Sequence, residues 1–263
     1  MKKVLSVFEL LVRNTIYKVL MVLVAAGVVE IVSFWNRMLE QLALQSQPAG
    51  AGVGGNSLEL IVESSNQYGW YTVTFVLITA ILGFSTCNFG SVQSYTLKRL
   101  RVSEWELFWI QSIYNFLCYV LLMGVQLGFL LIMGYLYVAH NTDATNQTLF
   151  LAFYRNDFMH SILPMEEWSR LFINFILYAG MAVTAASVPY FSRNKKIIWE
   201  AVAVMGILAV GFEAELGDHV PYSLALIVVS VAILAVRRVY LHCMEPIRVS
   251  WVDNVVTQEK INQ

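Results

Sequence analysis

Six long stretches of apolar residues, separated by shorter polar segments, dominate the pattern of this chain. Crossing the hydrocarbon core of a bilayer takes about 20 apolar residues in a helix. Because lipid offers no hydrogen-bond partner to an open backbone, such segments must be helical, and spanning strands would alternate in polarity instead. The pattern therefore predicts an all-α polytopic membrane protein with six transmembrane helices. The predicted spans are 17–36, 68–89, 108–138, 171–191, 197–213 and 222–241.

The polar segments predict how this single transmembrane domain, 1–263, is arranged. Apolar residues recur at helical spacing before the first span, which predicts a short helix at 3–15 lying in the cytoplasmic interface. An earlier start of the first span is the alternative. Two longer segments, 37–67 and 139–168, fall on the outer side, and an apolar stripe in the second predicts short helices that rest on the membrane or cap the bundle.

Composition and charge agree with this class of protein. Hydrophobic residues make up 58% of the chain and charged residues only 13%, whereas a soluble domain carries about 25% charged residues. With a cytoplasmic N-terminus, all but three of the 17 Lys and Arg residues fall on the cytoplasmic side, the exceptions being Arg37, Arg155 and Arg170. This positive-inside bias predicts that both termini are cytoplasmic and that the protein lies in the plasma membrane.

The connector 91–106 contains two helix signals and three cations. Ser103 and Glu106 have the spacing of a capping box, which predicts that a helix begins at Ser103. Upstream, apolar residues lie on one face of a second short helix, and Lys98, Arg99 and Arg101 stand at its end. From the residues alone, binding of anionic lipid head groups and docking of a cytoplasmic protein both stay open.

Three stretches carry a resemblance to a known family. They are "YTLKRLRVSEWELFWIQSIYNF" at 95–116, "AFYRNDFMHSILPMEEW" at 152–168 and "SRNKK" at 192–196. With the order of spans and loops, they make the chain similar to the six-span membrane subunit of ABC-2-type transporters. The short outer segment 211–222 and the long segment 139–168 depart from that family's pattern.

The resemblance implies an exporter in which two permease subunits, identical or related, form the pathway and each docks an ABC ATPase. The connector helix would be the coupling helix, with Leu97 and Leu100 inserted in a groove of the ATPase and Lys98, Arg99 and Arg101 paired with acids on its rim. ATP and Mg²⁺ would bind that partner. The permease itself is expected to be no enzyme and to hold no cofactor, because the chain lacks a phosphate-binding loop motif; membrane lipids are further partners, and nucleic acid is not.

Polar and small residues inside the spans are the remaining candidates. Glu30 and Glu200 are candidate pathway or interface residues, because ionisable groups within spans are often functional. Gly124 and Gly128 form a G-x-x-x-G pattern that suits close helix contact, within the chain or with a second subunit, and Gln126 between them is expected to bond across helices. No two His residues have the spacing of metal ligands, so no metal site is expected.

Two functions from other classes remain as alternatives. An ion-coupled carrier or channel would need no ATPase and predicts buried, paired charges and internal symmetry. A membrane anchor or sensor would recruit a cytoplasmic partner through 91–106 and would lack a continuous pathway.

Overall fold

The computed structural model describes residues 2–45, 58–84, 87, 103–141, 146–162, 168–193 and 225–244. These residues form helices, and no strand occurs among them. In chain order the helices are α1 (Lys2–Gln45), α2 (Leu58–Ser64), α3 (Gln67–Phe84), α4 (Glu104–His140), α5 (Asn146–Arg155), α6 (Asp157–Ile162), α7 (Trp168–Arg193) and α8 (Ala225–Met244).

Five of these helices, α1, α3, α4, α7 and α8, are long and apolar enough to cross a membrane. The all-α fold is therefore confirmed, and the helices indicate a multi-pass membrane protein. They coincide with five of the six predicted spans. The remaining predicted span, 197–213, lies outside the described residues.

Helix α1 differs from the prediction for the start of the chain. The structure has no break between 3–15 and 17–36, and α1 continues as one helix of 44 residues, about 66 Å long at 1.5 Å per residue. Its first turns are held by packing, since Val7 and Leu11 are buried and the Phe8 ring meets the Tyr114 ring of α4 edge-on at 5.8 Å. The position of this segment at a membrane surface stays a prediction.

Side-chain contacts fix the directions of the helices. Thr15 of α1 is hydrogen-bonded to Tyr114 of α4, and further along both helices Trp35 contacts His140 with ring centroids 5.0 Å apart. Helices α1 and α4 therefore run parallel. We call the end of the bundle where they begin the basal end and the opposite end the distal end.

Helices α3 and α7 run from the distal to the basal end. Gln67, the first residue of α3, contacts Glu30 in the later half of α1, while Thr79 further along bonds to Tyr119 of α4. Asn115 of α4 donates a hydrogen bond to the carbonyl of Ala182 in α7. The α4–α7 contact continues to the basal end, where Phe108 and Tyr190 meet with ring centroids 6.4 Å apart.

Helix α8 lies beside α7 and runs in the same direction. A Cβ at Gly180 of α7 would collide with the Val228 side chain of α8. Eleven residues later in α8, the Val239 carbonyl accepts a hydrogen bond of 3.4 Å from the Tyr190 hydroxyl. Both helices thus begin toward the distal end and end toward the basal end.

Three short helices cover the distal end. In α2 the apolar residues Leu58, Ile61 and Val62 are buried. In α6 the ring of Phe158 lies 5.8 Å from the rings of Tyr68 and Tyr71. The apolar stripe in 139–168 predicted such short helices, and α5 and α6 use it to pack on the bundle.

Candidate functional site

Two polar residues that the sequence singled out separately meet inside the bundle. Glu30 of α1 is fully buried, and Gln126 of α4 is 2% exposed. The Gln126 Nε2 group donates a hydrogen bond of 2.9 Å to the Glu30 carboxyl oxygen Oε2. The contact lies where α1 and α4 run parallel, so an ionisable side chain joins two helices within the apolar core.

A third helix reaches the same place through Gln67. Its Nε2 group donates to the Glu30 backbone carbonyl at 3.1 Å and to the Ser65 hydroxyl at 3.0 Å. The turn between α2 and α3 sets this position, because Asn66 adopts the left-handed conformation with φ of 53°. Asn tolerates that region better than most residues, so α3 begins with Gln67 directed into the core.

Two oxygen atoms in this cluster have no hydrogen-bond partner among the described residues. They are Oε1 of Glu30 and Oε1 of Gln67, and both are buried. In proteins, the large majority of buried polar side-chain atoms have a hydrogen-bond partner. Arg37 and Glu40 pair with each other at the surface, and no ion pair between described residues includes Glu30.

Buried hydroxyl groups extend the polar cluster toward the middle of the bundle. The Tyr71 and Tyr178 hydroxyls, from α3 and α7, lie 2.7 Å apart. Tyr119 of α4 donates to the Thr79 hydroxyl at 2.9 Å, and its ring stacks on that of Tyr178 at 6.1 Å. We use the term polar core for Glu30, Gln126, Gln67, Ser65, Tyr71, Tyr178, Tyr119 and Thr79.

Close helix contact beside the polar core depends on a glycine that the sequence pattern did not indicate. A Cβ at Gly27, one turn before Glu30, would collide with the Phe129 ring of α4. By contrast, a Cβ at Gly124 or Gly128 would meet open space. The G-x-x-x-G pair therefore makes no close contact within the described chain, and its contact with a second subunit stays a prediction.

The predicted helix cap is present at the start of α4. Ser103 is the N-cap, and its hydroxyl accepts a hydrogen bond of 3.1 Å from the Glu106 N–H. The Glu106 carboxylate in turn accepts one of 3.2 Å from the Ser103 N–H. These reciprocal bonds satisfy two N–H groups at the basal end of α4.

Other candidates lie outside the described residues. The coupling-helix residues Leu97, Lys98, Arg99, Leu100 and Arg101 are among them, and so is Glu200. Within the described ranges, no group of three or more His, Cys, Asp or Glu residues is arranged to hold a metal ion.

Sequence reasoning missed Gln67, Tyr71 and Tyr178 as members of the site. The position of Gln67 could have indicated a site, because a glutamine at the start of an apolar stretch places a polar side chain at the end of a membrane helix. Tyrosines in spans are too common to indicate a site.

The fold and the polar core define a class: a multi-pass helical membrane protein with an ionisable group buried between its helices. No protein-family model, curated protein or solved structure matches this chain.

Proposed function

We propose that the chain is the permease subunit of an ABC-2-type transporter, an exporter that forms its pathway as a dimer and is driven by a separate ATPase. The observation that carries the proposal is the segment 95–116, in which the basic residues Lys98, Arg99 and Arg101 directly precede the capped start of α4 at the basal end. These basic residues lie between the second and third predicted spans, which is where the resemblance to ABC-2-type permeases implies the coupling helix.

The directions of α7 and α8 support the proposed six-span topology. Because the two helices run parallel, the chain between them has to return from the basal to the distal end. One further crossing in 194–224, as the apolar run 197–213 predicts, satisfies this requirement. The N-terminus and the end of α8 then lie on one side of the membrane.

Charge supports a cytoplasmic basal end. Arg13 and Lys18 in the first half of α1 are exposed, as are Arg237 and Arg238 near the end of α8. Cations near the ends of spans favour the cytoplasmic side. The plasma membrane, with both termini in the cytoplasm, is the location that we propose.

An open helix face supports the proposed dimer. Gly124 is exposed, and no described residue of another helix lies within 4 Å of a Cβ built at Gly124 or Gly128. Small residues on such a face allow the backbone of a second subunit to approach closely. A Gly124→Leu/Gly128→Leu variant is expected to shift the protein from dimer to monomer, as measured by mass photometry in mild detergent.

The test of the proposed function is affinity purification of the tagged protein from its native membranes in mild detergent, with mass spectrometry of the proteins that remain bound. The expected result is a stoichiometric ATPase with a Walker motif. A clean homo-oligomer without an ATPase would contradict the proposal.

Variants locate the docking element. Reversing the charges of Lys98, Arg99 and Arg101 should reduce ATPase association at least tenfold without preventing membrane insertion, whereas Arg155→Glu at the exposed distal surface should not. Leu100→Asp should allow ATP hydrolysis but stop transport. Unchanged association in the charge-reversed variant would overturn docking at this element.

The ion-coupled carrier is the second candidate, and one observation favours it. Glu30 is a fully buried ionisable group in contact with a second helix, and such groups within spans often belong to ion or proton pathways. The paired cation that a carrier also predicts is absent from Glu30 among the described residues. Purified protein in liposomes without any ATPase distinguishes the two functions. Uptake or efflux driven by an ion gradient alone favours the carrier, and no transport without the ATPase favours the permease.

A further inference from the structure

The polar core contains one carboxyl group whose surroundings suit a neutral acid better than an anion. Glu30 is fully buried, it accepts a single side-chain hydrogen bond, from Gln126, and its Oε1 atom has no partner among the described residues. An ionised carboxylate removed from water carries a large desolvation penalty unless a cation or several donors compensate it. Here one amide group donates to it, and no cation of the described chain pairs with it.

Adding a proton to Oε1 changes this balance. The neutral acid keeps Oε2 as the acceptor for Gln126 and loses the charge that is costly to bury. It also supplies a donor in a cluster where the described residues leave two acceptor oxygens, on Glu30 and Gln67, without one.

The amide groups around the site argue against a metal cation. Metal ions such as Ca²⁺ and Mg²⁺ take six or more oxygen ligands. Gln126 directs its nitrogen, not its oxygen, at the carboxyl group, and the Gln67 nitrogen is directed at the Glu30 carbonyl. Both amides are turned toward acceptors, so the carboxyl group has no oxygen shell with which to share a cation.

The neighbouring titratable groups leave Glu30 as the acid of this site. Tyr71 of α3 and Tyr178 of α7, whose hydroxyls are hydrogen-bonded to each other, are neutral phenols at physiological pH. Helix α4 presents the uncharged Gln126. The acids of α2, Glu59 and Glu63, add no positive charge, and Arg37 and Glu40 further along α1 pair with each other.

We propose that Glu30 is a proton-binding site: it holds a proton in this packed arrangement of α1, α3 and α4 and releases it when the α1–α4 contact opens. Exchange takes place at the distal end, because Glu30 is about 10 Å along α1 from exposed Arg37 but about 18 Å from exposed Lys18. Since the packed arrangement binds the proton more tightly, raising the pH favours the open one. This inference does not depend on the proposed function, because a proton-binding residue is compatible with both a permease and a carrier.

Infrared spectroscopy of the purified full-length protein in lipid vesicles tests the proposal directly. The wild-type protein at neutral pH should show the carbonyl stretch of a protonated carboxyl group. Glu30→Gln should remove that band, whereas the control Glu63→Gln, at an exposed acid of α2, should retain it. Glu30→Asp, which keeps an acid at the site, should shift the band without removing it.

Three outcomes would overturn the proposal. The first is the absence of the band in the wild-type protein, and the second is its persistence in both Glu30 variants. The third is its loss when Na⁺ or K⁺ is added at constant pH, which would make Glu30 a cation ligand.

Thermal unfolding in detergent provides an independent measurement. The melting temperature of the wild-type protein should fall as the pH is raised, because the unfolded chain releases the proton more readily than the packed state. Glu30→Gln should lose this part of the pH dependence, and Glu63→Gln should retain it. Identical pH profiles for wild-type protein and Glu30→Gln would count against a bound proton.

Discussion

Helices α1 and α4 meet at two polar contacts that differ in chemistry. At the basal contact, the Thr15 hydroxyl donates to the Leu11 carbonyl at 2.8 Å and also bonds to the Tyr114 hydroxyl. At the distal contact, Gln126 bonds to one oxygen of Glu30 while the other has no partner among the described residues. The basal contact joins neutral groups, whereas the distal contact contains a group with two protonation states.

This difference indicates that the pair α1–α4 combines one contact whose charge is fixed, at Thr15, with one whose charge can change, at Glu30. Hydroxyl groups keep the same charge over the physiological pH range, so the basal contact has a single state. Burying a carboxyl group costs little free energy when the group is protonated and much more when it is ionised. Variants at each contact therefore test this difference separately.

Gly27→Val should have the largest effect, because the added side chain would collide with Phe129 next to the distal contact. Overpacking of this kind costs about 3 kcal/mol at the upper end of its usual range. The free energy of unfolding in mixed detergent measures the effect. Ala25→Val, at an exposed position of the same helix, is the matched control, and an equal loss in both variants would show that the Gly27 contact is not responsible.

Gln126→Leu should rank second. It removes the donor that Glu30 uses and leaves a buried acid unsatisfied, at a cost of about 2 kcal/mol. The same unfolding measurement applies, with Gln147→Leu at an exposed amide of α5 as the control. A variant as stable as the wild-type protein would contradict a structural role for the Glu30–Gln126 bond.

Ser103→Ala should cost about 1 kcal/mol, as is typical when an N-cap residue is lost. The effect is local, because the Glu106 N–H loses its acceptor. Hydrogen exchange at the first turn of α4 should therefore accelerate. Ser230→Ala, at an exposed position of α8, should leave that exchange rate unchanged, and equal rates in wild-type protein and Ser103→Ala would contradict the cap.

Tyr114→Phe should have the smallest effect, about 0.6 kcal/mol, the average for a hydrogen bond between membrane helices. Thr15 keeps its bond to the Leu11 carbonyl in this variant, so no group is left unsatisfied. The pH dependence of unfolding should stay that of the wild-type protein. A changed pH profile would mean that the basal contact also titrates and would remove the distinction between the two contacts.

The sequence predicted the helical class and the local features well. Apolar runs determine where membrane helices form, and the cap at Ser103 and Glu106 depends on residues three positions apart. Glu30 and Gln126 were each recognised as unusual within a span. Their pairing was not predicted. A helix that is apolar on nearly every face gives little indication, in its sequence, of which face packs against which neighbouring helix.

The packing glycines show the same limit. Gly124 and Gly128 match a contact motif but meet no side chain of the described residues, whereas Gly27, Gly134 and Gly180 lie against side chains of other helices. Whether a glycine permits a close approach depends on the side chain opposite, which a single sequence does not specify. Residues 3–15, expected as a short interfacial helix, are continuous with the rest of α1, and Phe8 among them packs on Tyr114 of α4.

The uninterrupted course of α1 has a mechanical consequence. A helix of 44 residues can act as a lever, and a tilt of about 10° around Thr15 would move the near end by about 3 Å and the far end by about 8 Å in opposite directions. With the contact at Thr15 as the pivot, the longer arm extends beyond Glu30. A small displacement at the short arm would therefore be magnified at the far side of the bundle.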